Sequence, residues 1–227
     1  NWETRYRTPA AELESTVAEF RRIPNLFEIL SYDYWHVNYG YVLPTLVRER
    51  KEAYLASEAG RAHVLAVVRA KLRAGGRTDE QIDALGEDGQ LQAASGFFGG
   101  GHDVIVARRH FVDGATDNTQ LASSGTLTPD EHERFIAYTA EATRGLFELN
   151  RYARYVAVFQ NWLRPAGASF DHLHKQLVAI DERGTQHEQA MARLRANPNV
   201  FNEHAANYAA YKNLVIAENS HAIAFAG

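Results

Sequence analysis

The alternation of apolar and polar positions is clearest in residues 156–181, where two apolar runs flank a turn and a pair of histidines. Residues 155–160 and 176–181 are rich in β-branched and apolar side chains, a composition that predicts two strands. Between them, residues 164–169 (RPAGAS) are small and contain proline and glycine, which predicts a turn. A turn of small residues can also bring backbone N–H groups close to an anion.

The histidine pair lies at the start of the second predicted strand. His172, His174 and Gln176 alternate with Leu173, Lys175 and Leu177. Because successive side chains of a strand point to opposite faces, we expect the two imidazoles and the amide to share one face. Two histidines and an amide beside a small-residue turn indicate a site that handles phosphate.

Residues 128–150 carry the strongest helical pattern. Thr128 can cap the helix, Pro129 suits its first position, and Glu131 completes a capping box. One face is apolar, which predicts that the helix packs on a sheet; that face holds Phe135, Tyr138, Ala142, Leu146 and Leu149.

The remaining segments predict a mixture of helices and short strands, and hence an α+β fold. We expect helices over residues 8–21, 46–74, 78–85 and 184–195, an extended segment at 23–27, a strand after the glycine run 99–101, and a hairpin of 213–218 with 222–226. The tyrosine-rich residues 31–44 show no clean period and are interpreted as a loop or irregular strand. Residues 46–91 are interpreted as a helical insertion.

Composition narrows the class of protein. The chain has 227 residues, 45% of them hydrophobic, which suits one large domain or two small ones. A net charge of −4 with interspersed signs argues against a nucleic-acid-binding face. There is no cysteine, so the residues shown offer no disulfide, thiolate nucleophile or cysteine zinc ligand. No apolar run reaches the roughly 18 residues that a membrane span needs, and no signal-peptide pattern is present, so we expect a cytoplasmic protein without a membrane partner.

The residues alone leave three interpretations of the histidine pair. The two side chains can be satisfied polar residues near a strand start. They can be metal ligands, with Asp171, His110 or His102 as contributors. They can also act at phosphorus, with one imidazole as the nucleophile.

The ordered pattern of Asn161, residues 166–169 (AGAS) and residues 172–176 (HLHKQ) resembles the active-site segment of the galactose-1-phosphate uridylyltransferases. These enzymes form the nucleotidyltransferase branch of the histidine-triad superfamily. Three further segments are similar to parts of the same family: 23–27 (IPNLF) to its early nucleotide-binding strand, 101–106 (GHDVIV) to a Gly-x-His-(Glu/Asp)-Val strand, and 213–226 to the start of its second half.

The resemblance implies a histidine-triad-like antiparallel sheet with packed helices. It places a first such domain in residues 1–195, with the insertion at about 46–91, and a connection to a second half in 196–227. The implied catalytic residues are His174, His172 and Gln176.

In the resemblance, His174 is the nucleophile that becomes a nucleotidyl-histidine, and a nearby backbone carbonyl holds its other nitrogen. Gln176 hydrogen-bonds a phosphoryl oxygen, at the place where hydrolases of the superfamily carry a third histidine. The implied substrate-binding residues are Asn161, Gly167 and Ser169 for the phosphates and Asn25 for the nucleoside. Candidate cationic supports are Lys175, Arg164 and Arg108.

The sequence also departs from the family. His172 would match one ligand of the family's structural zinc and His110 approximately another, but the cysteine pair is absent. Either that pair lies before Asn1, or this protein dispenses with the metal. In the residues shown we expect no metal and no cofactor. Base and sugar specificity stay open. The expected partners are a nucleotide or nucleotide-sugar and a phosphorylated acceptor. No nucleic-acid partner is expected, and a homodimer is a possible state of the chain. A dinucleoside-polyphosphate phosphorylase or hydrolase and a non-catalytic nucleotide-binding module are the alternatives to a transferase.

Overall fold

The computed structural model describes residues 17–25, 28–168 and 170–226. They are a mixture of helices and strands, and residues 20–180 contain a four-stranded antiparallel sheet. The strands are β1 (Phe20–Pro24), β2 (His102–Ala107), β3 (Tyr155–Phe159) and β4 (His174–Ile180), in the spatial order β1-β2-β4-β3. The strand that carries the histidine motif therefore lies inside the sheet, between β2 and β3.

One face of the sheet packs on a long helix, α6 (Pro129–Leu149). The core between them is apolar and contains Ile105, Phe135, Leu146, Leu177 and Ala179. The Thr128 hydroxyl accepts a hydrogen bond from the backbone N–H of Glu131, and the Glu131 carboxylate accepts one from the backbone N–H of Thr128, so the predicted capping box is confirmed. The burial of this helix leaves the opposite face of β4 for polar side chains.

That opposite face holds the candidate chemistry. Residues directly opposite each other on antiparallel strands share a face, and β4 pairs His174 with Val106 and Gln176 with Val104. Val178 is opposite His102 in the same ladder. His102, His174 and Gln176 consequently belong to the face turned away from α6.

In the described residues between β1 and β2 the chain forms five helices: α1 (Tyr32–Tyr39), α2 (Thr45–Ala56), α3 (Glu58–Ala74), α4 (Asp79–Asp83) and α5 (Gly86–Ala93). A second apolar cluster joins α3 to the residues after α5 and contains Val64, Val68, Ala94 and Phe97. The predicted helical character of 46–91 and the capping box of Thr78 with Gln81 are confirmed.

Two details of this region differ from the sequence prediction. The loop or irregular strand predicted over 31–44 is wrong for residues 32–39, which form α1: Ser31 caps it through the N–H of Tyr34, and Gly40 ends it at φ +67°. Residues 40–44 have no regular secondary structure, as the loop prediction has it. The single helix predicted over 46–74 is two helices that meet at Ser57, whose hydroxyl accepts from the N–H of Gly60. A Cβ at Gly60 would lie 2.2 Å from the carbonyl oxygen of Tyr54, so this junction requires glycine.

The helix predicted over residues 8–21 falls partly outside the described residues, as do Leu26 and Phe27 of the predicted extended segment. The predicted end of that helix is wrong, because Phe20 belongs to β1. Phe20 pairs with Ala107 of β2 and stacks on Phe135 at a centroid distance of 4.7 Å. The favourable pairing and stacking outweigh a helical period that Phe20 happens to fit.

Contacts divide the chain into two compact units, Asn1–Asp181 and Glu182–Gly227. The second contains α7 (Gly184–Ala196), a π-helical segment (Asn202–Asn207), α8 (Tyr208–Tyr211) and the predicted hairpin, formed by β5 (Val215–Glu218) and β6 (Ile223–Phe225). Residues 182–195, which the sequence grouped with the first domain, cluster with this second unit. Among the described residues, no helix combines the length and apolar character needed to cross a bilayer.

Glu28 lies against the glycine run that precedes β2. A Cβ at Gly100 would come within 1.2 Å of the Glu28 carboxylate, so only glycine leaves room for it. The carboxylate accepts a hydrogen bond from the backbone N–H of Tyr32 at 3.1 Å. Burial raises the pKa of Glu28 to about 7, against the opposing charge of Lys71. Folding therefore favours the protonated carboxyl.

We expect Glu28→Gln to remove a pH dependence of stability. The raised pKa means that the folded state holds this proton more tightly, so the free energy of unfolding falls as pH rises from about 4.5 to about 7. The glutamine keeps the acceptor for Tyr32 and cannot ionise, so Glu28→Gln should gain roughly 3 kcal/mol over wild type at pH 8 and almost nothing at pH 4.5. Urea titrations at both pH values measure this. Glu52→Gln at an exposed position is the control, and equal pH dependence in Glu28→Gln and wild type would contradict the assignment.

Candidate active site

His174 is the first residue of β4, and its imidazole is 2% exposed. Its Nδ1 lies 2.6 Å from the backbone carbonyl oxygen of His172. A carbonyl can only accept, so Nδ1 carries the proton and Nε2 keeps its lone pair. In the part of the chain that the structure describes, no side chain hydrogen-bonds to that Nε2. The ring is thus held in the tautomer that a nucleophilic histidine needs.

Phe170 covers one side of this imidazole. The two rings stack with centroids 4.1 Å apart and planes 27° from parallel, and the phenyl ring is 44% exposed. The lone pair of Nε2 lies in the ring plane, so the stacking of Phe170 on the ring face does not itself block an approach along that plane. Phe170 keeps water from the face of the imidazole and fixes its orientation.

Gln176 follows two residues later on the same face of β4 and is half-buried. Its Oε1 lies 3.1 Å from Nε2 of His102. The same ring nitrogen is 3.4 Å from Nδ2 of Asn25, whose backbone N–H donates to the carbonyl of His102. The structure therefore brings together Gln176, His102 and Asn25, residues from three adjacent strands or their ends.

His172 stands just before β4, and its ring does not share the surroundings of His174. Nε2 of His172 lies 2.5 Å from the carbonyl oxygen of Ala107, and Nδ1 lies 3.1 Å from Nδ1 of His110. Burial lowers the pKa of His172, with the hydrogen bond to Ala107 acting in the opposite direction. The ring of His172 therefore contacts the end of β2 and His110, and what His172 contributes to His174 is its backbone carbonyl.

His110 and His172 are the pair that the family resemblance relates to a structural zinc. Tetrahedral zinc needs four ligands, and the described residues contain no group of three or more candidate ligands. Two imidazoles alone do not form such a site, and the short contact between them is a hydrogen bond.

The turn after β3 holds the other expected phosphate contacts. Gly167 adopts φ +86°, and a Cβ there would lie 3.7 Å from Nδ2 of Asn161, so these two residues are neighbours. However, the N–H groups of Ala166, Gly167 and Ala168 donate to the carbonyls of Leu163 or Arg164. The backbone donors of residues 166–168 are therefore engaged within the turn, whereas the side-chain amide of the neighbouring Asn161 is available to a ligand. Ser169 lies outside the described residues.

Lys175 does not support the site as the sequence suggested. It points to the α6 side of β4, where its Nζ lies 4.0 Å from the centroid of the Phe135 ring, and burial lowers its pKa. The strand alternation that joins His174 to Gln176 excludes Lys175 from their face. Arg108 and Arg164 are exposed, and their role stays a prediction.

Comparison with known families gives one match: the model of the domain of unknown function DUF4921 covers residues 1–227. The chain belongs to this family. No curated protein and no solved structure matches it.

In this member of DUF4921, sequence reasoning missed the contact of His102 with Gln176 and the stacking of Phe170 on His174. His102 was visible as the first residue after a glycine run, but its partner depends on the register of β2 against β4. Phe170 offered no signal, because a lone aromatic residue next to a turn packs in many ways.

Proposed function

We propose that the chain is a nucleotidyltransferase that acts on a nucleoside-diphosphate-linked substrate through a covalent nucleotidyl-His174. The proposal combines the resemblance of residues 161–176 to the galactose-1-phosphate uridylyltransferases with the geometry of the site. The observation that carries it is the 2.6 Å contact between Nδ1 of His174 and the carbonyl of His172, which directs the lone pair to Nε2.

In the first step, Nε2 of His174 attacks the α-phosphorus, and the bond from that phosphorus to its bridging oxygen breaks. The leaving phosphate compound takes the electron pair. In the second step, an oxygen of the phosphorylated acceptor attacks the same phosphorus, and the P–N bond breaks to return its pair to Nε2. In both steps Nδ1 keeps its proton and its hydrogen bond to the carbonyl oxygen of His172. That hydrogen bond stabilises the positive charge of the substituted imidazole.

Gln176 supports transfer rather than hydrolysis. An amide donates a hydrogen bond to a non-bridging phosphoryl oxygen, whose charge grows as the transition state forms. It cannot take a proton from water near neutral pH, as a third histidine in its place could. The intermediate should therefore persist until a phosphorylated acceptor arrives.

Intact-mass spectrometry tests the proposal. We expect the wild-type chain to gain the mass of one nucleoside monophosphate when it is incubated with a panel of UDP-, ADP- and GDP-sugars and dinucleoside polyphosphates. The adduct should map to His174, and a phosphorylated sugar should discharge it faster than water. Nucleotide binding without any adduct would overturn the transferase and support a non-catalytic binding module. Discharge by water at the same rate would support a hydrolase.

A further inference from the structure

We propose that His102 is a positioning residue, which holds the amide of Gln176 with its N–H group turned toward the substrate phosphate. This inference rests on the proposed function, because it assigns a role to a residue that does not itself contact the reacting atoms.

The contact is built into the sheet. His102 is 5% exposed, and its Nε2 lies 3.1 Å from Oε1 of Gln176. Its backbone is fixed on both sides, by the N–H of Asn25 and by the ladder of β2 with β4. A buried imidazole on a central strand gives Gln176 a partner whose position hardly changes.

The chemistry of the amide makes this contact consequential. A glutamine side chain presents an acceptor at one end and a donor at the other, and a half-turn about its last torsion exchanges them. Only the N–H end stabilises an anionic phosphoryl oxygen. In this proposal the ring proton of His102 is on Nε2, which donates to Oε1 of Gln176 and so selects the orientation in which Oε1 faces the imidazole. The Asn25 amide nitrogen, 3.4 Å from the same Nε2, is then a neighbour and not a hydrogen-bond donor to it. The amide nitrogen of Gln176 has no hydrogen-bond partner within the described segments, so it is available to a ligand.

The register keeps His102 away from the reaction itself. His102 is opposite Val178, whereas His174 is opposite Val106, four residues along β2. On β4, Gln176 lies between His174 and Val178, the residue opposite His102. His102 therefore influences the phosphorus through Gln176 rather than by proton transfer to the substrate.

Two substitutions separate this role from packing. Glutamine can place an amide nitrogen near the position of the histidine Nε2, whereas asparagine reaches only the position of Nδ1. We expect His102→Asn to slow single-turnover adduct formation by roughly 30-fold, which is less than the effect of removing a hydrogen-bond donor that contacts the phosphate directly. The affinity for the nucleotide substrate should stay within about 3-fold of wild type. His102→Gln should recover most of the rate. His63→Ala, a histidine of α3 that contacts Tyr54, should react like wild type.

The decisive comparison repeats His102→Asn in a Gln176→Ala background, using the donor of the panel that gives the largest adduct. If His102 acts through Gln176, the second substitution should cost less than about 3-fold there. A 30-fold cost in both backgrounds, or a His102→Gln variant that folds and is as slow as His102→Asn, would overturn the inference while leaving the transferase intact. Should His102→Asn fail to fold, His102→Gln decides alone: a retained rate supports the inference and a lost rate overturns it. A wild-type chain that forms no adduct would overturn the proposed function and this inference together.

Discussion

In the variant His174→Asn we expect no detectable nucleotidyl adduct, with a rate of covalent transfer at least roughly 10⁴-fold below wild type. The substitution removes the ring atom that attacks phosphorus. It keeps a side-chain N–H near the position of Nδ1, which can still donate to the carbonyl of His172. The fold and the nucleotide-binding surface should therefore survive the loss of chemistry.

The alanine variant completes the comparison. His174→Ala removes both ring nitrogens and the surface that stacks on Phe170. We expect it to lose the adduct as well, but also to unfold at a lower urea concentration than His174→Asn, because a nearly buried ring leaves a cavity and an unpaired carbonyl.

Single-turnover mass spectrometry measures the rates, and nucleotide protection against thermal unfolding measures binding. His63→Ala again serves as the histidine control. An adduct in His174→Asn at more than about a hundredth of the wild-type rate would place the nucleophile on another residue, which peptide mapping would then identify.

Local signals account for much of the fold that the sequence predicted. The capping box at Thr128 and the apolar face of α6 act within a few residues of each other, so pattern alone locates that helix. Helix α1 shows the limit of this reasoning. Its only buried residue is Trp35, so no apolar period marks it, and it is defined by Ser31 and Gly40 at its two ends.

The candidate site divides in the same way. Strand alternation correctly joined His174 to Gln176, since both lie on β4. The same reasoning failed for His172, because β4 begins two residues later, at His174, and the His172 ring contacts the carbonyl of Ala107 instead. His102 is separated from Gln176 by 74 residues of sequence. Only the pairing of β2 with β4 brings them together, and such register is a tertiary property.

Phe135 connects the core to the active strand, and its truncation should have the largest effect on stability. The ring is fully buried, stacks on Phe20 with planes 2° apart, and lies beneath the Nζ of Lys175. We expect Phe135→Ala to lower the free energy of unfolding by about 4 kcal/mol, because it removes a large apolar side chain and leaves a cavity that the sheet and α6 cannot close.

Phe147→Ala is the matched control for this truncation, since Phe147 lies on the same helix and is 40% exposed. It should cost no more than about 1 kcal/mol. Tryptophan fluorescence in urea suits the measurement, because Trp35 and Trp162 belong to the same unit as Phe135. Equal losses from the two substitutions would contradict the core described above.

The truncation of Phe135 should also affect the site, because Lys175, which contacts its ring, stands between His174 and Gln176 on β4. In Phe135→Ala this strand loses its support on the side opposite the substrate. We therefore expect the folded fraction of Phe135→Ala to form adduct more slowly than Phe147→Ala.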